Sequence, residues 1–409
     1  MTDKTILVIG TYDTKDDELD YLAGVIEGQG GSVVTMDVSV LGDPSMPCDY
    51  SKHDVAEEGG SSIEAAIASG NENDAMQIMA TGAALLTARL YAEEKIHGMI
   101  VLGGTMGTDL ALDVCSALPL GVPKYIVSTV SFSPLIPADR LAADTQMILW
   151  AGGLYGLNSV CKASLSQAAG AVLGAARAVE LPDSAKPLIG MTSLGKTALK
   201  YMVTLKPALE ERGFEVAVFH STGMGGRAFE SLASQGAFAC VFDFCTQELG
   251  NDLHGSPISA GPSRLTAAGL NGTPQLVAPG CYDLVDIVGW QDVPEKWSNH
   301  ITHAHNRLLT SVVLNHEERK QVARVHCKQL AKAKGPVALL LPSEGLGEWD
   351  RTGGDLHDAE GLKQFLHVMK TDAPSNVQTH TIEAHINDEA FVEKALEIFD
   401  DWRADGLID

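Results

Sequence analysis

The chain has 409 residues, of which 45% are hydrophobic and 20% are charged, as in soluble proteins with a buried core. Its formal net charge is −24 and no run of lysine or arginine interrupts it, so neither nucleic acid nor an anionic membrane is an expected partner. The seven cysteines lack framework spacing, and the sequence shows no signal peptide and no apolar run of ~20 residues. These features predict a cytoplasmic protein of two or three domains.

The first half of the chain alternates short apolar strands with helices. Strands are predicted at 5–10, 32–39, 97–104 and 123–129, and helices at 16–30, 73–95, 106–118 and 164–181. The segment 41–54 is rich in Gly, Pro and Asp and is predicted to be a loop. Buried strands that alternate with helices form parallel sheets with right-handed crossovers, so this half is predicted to be one doubly wound domain.

A polar segment, Pro182–Pro187, interrupts this pattern, and the alternation then begins again. Strands are predicted at 187–193, 214–220, 238–244, 274–280, 336–342 and 377–383, with a closing helix at 388–402. The sequence therefore predicts two Rossmann-like, doubly wound parallel-sheet domains, 1–182 and 187–409, with an interdomain cleft. Similar glycine loops in both halves are explained equally well by an ancient duplication and by loops that are common to all proteins of this fold.

Two loops of domain 1 have the composition of a phosphate site. "GTYDTK" and "GGTMGT" each follow a predicted strand and precede a helix, where open α/β sheets bind ligands. Glycines let a phosphate approach backbone N–H groups at a helix start, whereas the alternative is a tight turn with threonine caps. The predicted nucleotide ligands are Gly10, Thr11, Asp13, Thr14, Lys15, Gly103, Gly104, Thr105, Gly107 and Thr108.

Domain 2 contains a denser glycine loop, "HSTGMGGRAFE". Thr222, Gly223, Gly225 and Gly226 are predicted to cradle an anion, on which Arg227 would close. Glu248, Arg264 and His305 are predicted to join Arg227 in binding an acidic substrate and moving protons. The cluster His300, His303 and His305 has the residue type of a zinc site, but no regular element unites all three, so a polar loop with one functional histidine is favoured.

Residues Gly190, Gly195, Lys196 and Thr197 match the pattern G-x-x-x-x-G-K-T of a P-loop. A short pattern is only a hypothesis until its structural context is known, and Thr197 can equally start a helix. We therefore expect a helix-starting turn here rather than a nucleotide-hydrolysing loop.

The blocks "VIGTYDTKDDELDYL", "VLGGTMGTDLA", "FHSTGMGGRAFE" and "SAGPSRLTAAGLNGTPQLVAPG" resemble, in order, the UPF0261 family, also called Tm-1-like ATP-binding proteins. The resemblance implies two Rossmann-like subdomains, ATP binding and a homodimer. Because this region is fused to a TIM barrel in some relatives, it also implies a possible TIM-barrel partner protein. Relatives usually carry "MTMFGVTT" where this chain has "MTSLGKTA", so Lys196 is not a family phosphate ligand.

The leading hypothesis is an ATP- or nucleotide-binding protein, with Mg²⁺ as a possible second cofactor. It would act as an ATP-dependent enzyme or an accessory subunit on an acidic small molecule in catabolism. A nucleotide-independent lyase or hydrolase, and a non-catalytic nucleotide-sensing module, are the alternatives. The sequence leaves open whether the protein is an enzyme.

Overall fold

A computed structural model describes residues 3–137, 140–180, 186–195 and 198–408. The chain divides into two compact units, Met1–Pro182 and Asp183–Asp409, which we call domain 1 and domain 2. Each contains an open parallel sheet covered by helices, so the predicted α/β class is confirmed. In the part of the chain that the structure describes, no helix combines the length and apolarity needed to cross a bilayer.

Domain 1 is built on a five-stranded parallel sheet in the order β2-β1-β3-β4-β5. Its strands are β1 (Thr5–Gly10), β2 (Ser32–Asp37), β3 (Gly98–Gly103), β4 (Lys124–Ser128) and β5 (Thr145–Leu149). Its helices are α1 (Asp16–Gly28), α2 (Lys52–Glu58), α3 (Ile63–Ala68), α4 (Glu72–Ala92), α5 (Thr105–Ser116) and α6 (Ser159–Ala178).

Strand β1 shows why the sheet is covered on both faces. Ile6 and Val8 pack in one core with the helices α1 and α6, whereas Leu7 and Ile9 pack in a second core with α4 and α5. Successive side chains of a strand point to opposite faces, so a continuous apolar run requires helices on both sides. The apolar runs of the sequence were therefore sufficient to predict this layered arrangement.

Domain 2 contains a six-stranded parallel sheet in the order β14-β13-β9-β8-β6-β7 and a small antiparallel sheet in the order β10-β12-β11. Its strands are β6 (Leu188–Ser193), β7 (Glu215–His220), β8 (Cys240–Cys245), β9 (Gln275–Gly280), β10 (Leu284–Val288), β11 (Thr302–Ala304), β12 (Leu309–Val313), β13 (Val337–Pro342) and β14 (Gln378–Ile382). Its helices are α7 (Lys200–Glu211), α8 (Met224–Ser234), α9 (Gln247–Leu253), α10 (Ala267–Leu270), α11 (His316–Leu330), α12 (Ala359–Thr371) and α13 (Glu389–Ala404).

In both large sheets the first strand of the domain lies between the second and the third. The direction of winding therefore reverses between β1 and β3 in domain 1, and between β6 and β8 in domain 2. Ligands of open α/β sheets bind outside the carboxyl ends of the strands at such a reversal, which is called a switch point. Each domain therefore has one place, at the carboxyl ends of its strands, where a ligand is expected to bind.

Candidate functional site

A cavity of about 920 Å³ opens at the switch point of domain 1, within the size range of small-molecule sites. The loops after β1 and β3 form its floor, and the loops after β2 and β5 and the start of α4 form its walls. Nine of the ten predicted domain 1 ligands line it: Gly10, Thr11, Asp13, Thr14, Lys15, Gly103, Gly104, Thr105 and Gly107.

Thr108, the tenth predicted ligand, has a different role. It is buried, with 2% of its surface exposed, and its hydroxyl donates to the carbonyl oxygen of Gly104 at 2.6 Å. The same hydroxyl hydrogen-bonds Ser128 Oγ at 2.6 Å. Thr108 therefore joins the first turn of α5 to the end of β4 and does not face the cavity.

Among the described residues, no side chain caps the start of helix α5 at the cavity. Its N-cap residue is Gly104, and its first turn carries no acidic residue. The first N–H groups of a helix have no partner within the helix and lie at the positive end of its dipole. Gly103 is required for this close start, because a Cβ at that position would lie 2.6 Å from the Cα of Gly107. The start of α5 can therefore accept an anion.

The loop after β1 places a cation at the same cavity. The N–H groups of Thr14 and Lys15 both donate to the carbonyl oxygen of Thr11, which forms a tight turn before α1. Lys15 Nζ donates to Thr14 Oγ1 at 3.2 Å, and Thr14 Oγ1 lies 3.2 Å from Thr11 Oγ1. This arrangement places one ammonium group and two hydroxyl groups at the floor of the cavity.

Asp13 connects the loops after β1 and β2. Its N–H donates to Ser39 Oγ at 3.1 Å, and its Oδ2 accepts from the N–H of Gly42 at 3.1 Å. Its other oxygen, Oδ1, is buried without a hydrogen-bond partner among the described residues. Asp13 is thus held in place with one carboxylate oxygen unused, which suits a hydroxyl donor or a metal ion.

The glycine loop of domain 2 already contains an anion, and it belongs to the protein. Glu248 Oε1 accepts from the N–H groups of Gly223 at 2.6 Å and Gly226 at 3.1 Å. Gly226 has no room for a side chain, since a Cβ there would lie 1.9 Å from Glu248 Oε2. The start of α8 is therefore closed by a carboxylate from the first turn of α9, and the glycines that were predicted to cradle an anion contact this internal group.

Arg264 is fully buried and is surrounded by three carboxylates. Its guanidinium contacts both oxygens of Asp243, Glu248 Oε2 at 2.7 Å and Glu230 Oε1 at 3.2 Å. Burial raises the pKa of Glu248 and of Glu230, although Arg264 opposes this effect. Both Arg264 and Glu248 were predicted to contact substrate, but the structure gives them the role of holding β8, α8 and the loop before α10 together.

The remaining predicted residues of the loop also make internal contacts. The N–H of Thr222 donates to the carbonyl oxygen of His220 at 2.8 Å, and a Cβ at Gly225 would lie 1.8 Å from that oxygen. Arg227 is half-buried, and its Nε donates to the carbonyl oxygen of Ser259 at 3.0 Å. These contacts fix the start of α8 against β7 and the loop before Arg264.

The three clustered histidines point to separate neighbours. His300 contacts the carboxylate of Glu318 at 3.0 Å, and the ring of His303 lies against Trp349. His305 is exposed just after β11; partial burial, and to a smaller extent the nearby His305, lowers the pKa of the His220 imidazole. Among the described residues, no group of three or more histidine, cysteine, aspartate or glutamate side chains is arranged to hold a metal ion.

Sequence reasoning missed a buried polar pair beside His305. Asp286 and the side-chain amide of Gln247 are buried and lie together, and Asp286 Oδ1 accepts from Ser311 Oγ at 2.7 Å. Burial raises the pKa of Asp286, against the smaller lowering effects of Ser311 and Gln247. No motif marks these two positions, because they meet only when the start of α9 packs on β10.

The P-loop match begins inside a strand. Gly190 lies within β6 and pairs with Ala217 and Val241, and a Cβ there would meet the rings of Phe229 and Phe238 at 2.9 Å. Leu194 and Ala198 exchange two backbone hydrogen bonds, and Lys196 and Thr197 between them lie outside the described residues. Helix α7 begins at Lys200, beyond the motif.

The two open sheets, with a cavity at the switch point of the first, define a two-domain Rossmann-like α/β protein. The chain belongs to the uncharacterised protein family UPF0261. The N-terminal domain of that family matches residues 4–181, and its C-terminal domain matches residues 186–403. The family resemblance of the sequence blocks is therefore confirmed.

A UPF0261 protein of Brucella melitensis is 52% identical over 403 residues, which are 98% of this chain and 96% of that protein. The ToMV susceptible protein tm-1(GCR26) of tomato is 27% identical over 423 residues, covering 96% of this chain and 55% of that protein. A solved glycosyltransferase of Streptomyces sp. SF2575, complexed with thymidine diphosphate, covers 96% of this chain and 99% of its own at 13% identity and a TM-score of 0.17. A TM-score this low supports no conclusion about the present chain.

Proposed function

We propose that domain 1 binds a nucleotide, with ATP as the first candidate, and that its phosphates lie against the start of α5. The observation that supports this proposal is the open cavity at the switch point, where α5 starts without a cap. Backbone N–H groups at a helix start combine unused donors with a favourable dipole, which suits a phosphate.

The two helices that start at the cavity are not equivalent. The first turn of α1 carries Asp16, Asp17 and Glu18, whose charges already compensate the helix dipole. The first turn of α5 carries none. The phosphates are therefore assigned to α5, and the loop before α1 contributes the side chains of Lys15 and the two threonines.

The charges of the cavity favour a phosphate chain that is partly neutralised. Among the described lining residues, Lys15 is the sole cation, while Asp13 and Glu72 are carboxylates. A triphosphate carries more negative charge than one ammonium group balances, so Mg²⁺ is the natural companion of the ligand. Asp13, with its unused Oδ1, would hold that ion, whose role is to neutralise and orient the phosphates.

Of the residues that sequence analysis assigned to an acidic substrate in domain 2, Arg264 and Glu248 are used inside the protein, whereas His305 remains exposed. The sequence leaves three hypotheses: an ATP-dependent reaction, a nucleotide-sensing role and a nucleotide-independent reaction. Nucleotide binding by domain 1 would support the first two of these hypotheses.

Calorimetric titration of the full chain with Mg-ATP tests the proposal. We expect saturable binding, and we expect Lys15→Ala to weaken it by roughly tenfold or more, since one charge-assisted contact is worth about 1.5–3 kcal/mol. Lys328→Ala, a change of an exposed lysine on α11, is the matched control and should bind as the wild type does. Absence of heat and of any thermal stabilisation at millimolar Mg-ATP would refute the proposal.

A further inference from the structure

The rim of the domain 1 cavity carries large apolar side chains that are exposed to solvent. Leu41 is 79% exposed, Ile67 49%, Met106 41% and Tyr155 97%, and all four line the cavity. Single exposed apolar residues are normal on a protein surface and need no explanation. Four around one opening form a patch, and a patch of this kind marks a binding surface.

Contacts of the neighbouring residues hold the backbone in place on both sides of Tyr155. Its predecessor Leu154 is buried in the core that includes α6, and the N–H of Gly156 donates to Glu18 Oε1 at 2.9 Å. Earlier in the same loop, the indole of Trp150 donates to the carbonyl oxygen of Gly153. The ring is therefore held out at the rim by an anchored loop, with nearly all of its surface still available for burial against a ligand.

The chemistry of the cavity is divided between two regions. The starts of α1 and α5 supply N–H groups, hydroxyl groups and one ammonium group, whereas the rim supplies aliphatic and aromatic surface. Because two carboxylates offset the single cation Lys15, electrostatic attraction alone gives a polyanion little affinity. A ligand that fits both regions has an anionic end and a flat apolar end.

We propose that Tyr155 stacks on the base of the bound nucleotide, against the apolar wall formed by Leu41, Ile67 and Met106, so that domain 1 selects its ligand by the ring as well as by the phosphates. This inference rests on the proposed function, since it assigns the base of the same ligand. Stacking on an aromatic side chain tolerates different bases, because every base presents a flat π-face. Tyr155 is therefore a binding residue for aromatic nucleotides as a class.

The test compares two titrants, Mg-ATP and Mg-tripolyphosphate, which share the phosphate chain and differ in the nucleoside. The wild type should bind Mg-ATP far more tightly than Mg-tripolyphosphate. Tyr155→Ala should weaken Mg-ATP binding by about tenfold or more while leaving Mg-tripolyphosphate unchanged, and Tyr155→Phe should keep the wild-type affinity for both. Trp290→Ala, a change of an exposed aromatic residue of domain 2, should affect neither titrant.

The outcomes separate this inference from the proposed function. If Mg-ATP does not bind the wild type, the proposed function fails and the stacking role fails with it. If Mg-ATP binds the wild type and Tyr155→Ala equally well, the stacking role alone is refuted. Equal weakening of both titrants by Tyr155→Ala would also refute stacking, because it would mean that the change acts on the phosphate region through the loop.

Discussion

The backbone N–H of Gly223 donates to Glu248 Oε1 at 2.6 Å, so the glycine-rich start of α8 binds a carboxylate of its own chain. In domain 1, the glycine-rich start of α5 has no side-chain cap among the described residues and opens into a cavity. The large parallel sheets of the two domains share the order of their first five strands, but their glycine-rich helix starts differ in this capping contact. The start of α5 in domain 1 is therefore a better candidate for binding an external anion than the start of α8.

Removing the internal carboxylate should destabilise domain 2. Glu248→Ala leaves two N–H groups without a partner and removes one of the charges that balance buried Arg264, so we expect a loss of about 3–5 kcal/mol in the free energy of unfolding. Glu248→Gln keeps the shape and should cost less. Urea unfolding followed by circular dichroism measures both, with Glu215→Ala at the exposed start of β7 as control. Equal stability of Glu248→Ala and the control would contradict this role.

Alanine substitutions at two adjacent glycines of the start of α5 should have different effects: Gly103→Ala should lower stability, and Gly104→Ala should weaken binding. Gly103→Ala places a methyl group 2.6 Å from the Cα of Gly107 and should destabilise domain 1 by about 1–3 kcal/mol. Gly104→Ala meets nothing closer than Thr129 Oγ1 at 3.8 Å, so stability should hardly change. Its methyl group would nevertheless hinder a phosphate at the helix start, and Mg-ATP binding should weaken. Thermal unfolding and calorimetry together would show whether stability and binding separate in this way.

The parallel sheets and the cavity loops of domain 1 show what could be predicted from the sequence. The apolar runs of strands such as β3 and β8 predicted the parallel sheets, and the loops after β1 and β3, which were predicted to bind phosphate, line the cavity of domain 1. Strand β5 was missed because it is a partly exposed edge strand with the mixed sequence "TQMIL". The antiparallel strands β10 to β12 and the short helices α2 and α3 were missed because they lack the long periodic pattern that such predictions need.

The functional assignment of the glycine loops could not be made from the sequence. Both loops have the local chemistry of an anion site, and what separates them is a contact between residues 25 positions apart. Glu248 follows β8 in the chain, whereas the helix that it caps, α8, follows β7. Only the packing of the sheet brings the two together. The same reason explains why Gln247 and Asp286 were not predicted to lie together.

Buried His326 should make the protein less stable in mild acid. Burial lowers the pKa of His326 to about 4, whereas an unfolded histidine titrates near ~6.5. Its Nδ1 contacts the carbonyl oxygen of Val322 and its Nε2 contacts Thr246 Oγ1, which a neutral ring satisfies as donor and acceptor. Between these pH values the unfolded chain binds the extra proton, so the free energy of unfolding falls as pH falls, by up to about 3 kcal/mol.

The comparison of the wild type with His326→Gln isolates this effect, because glutamine keeps a donor and an acceptor but does not titrate. Asp283 makes the free energy of unfolding change with pH in the opposite direction. Burial, and to a smaller extent the nearby Asp350, raises the pKa of Asp283 to about 7, so the folded state keeps this proton in mild acid. Urea unfolding at several pH values between ~4 and ~6.5 should give a pH dependence that is weaker in His326→Gln by up to one proton. An unchanged slope would show that His326 does not titrate as its burial requires.

Asp13 should make nucleotide binding depend on magnesium. Its Oδ2 is held by the N–H of Gly42, and its Oδ1 is the unused oxygen that faces no partner among the described residues. In the wild type we expect Mg²⁺ to tighten ATP binding, since Asp13 would hold the ion and the ion would supply positive charge to the phosphates. In Asp13→Asn the affinity for ATP should be nearly the same with Mg²⁺ as with EDTA. Asp17→Asn, which changes an exposed carboxylate in the first turn of α1, should keep the wild-type dependence. If Mg²⁺ tightens binding to Asp13→Asn as much as to the wild type, the ion is held by other groups, and Asp13 serves only to join the loops after β1 and β2.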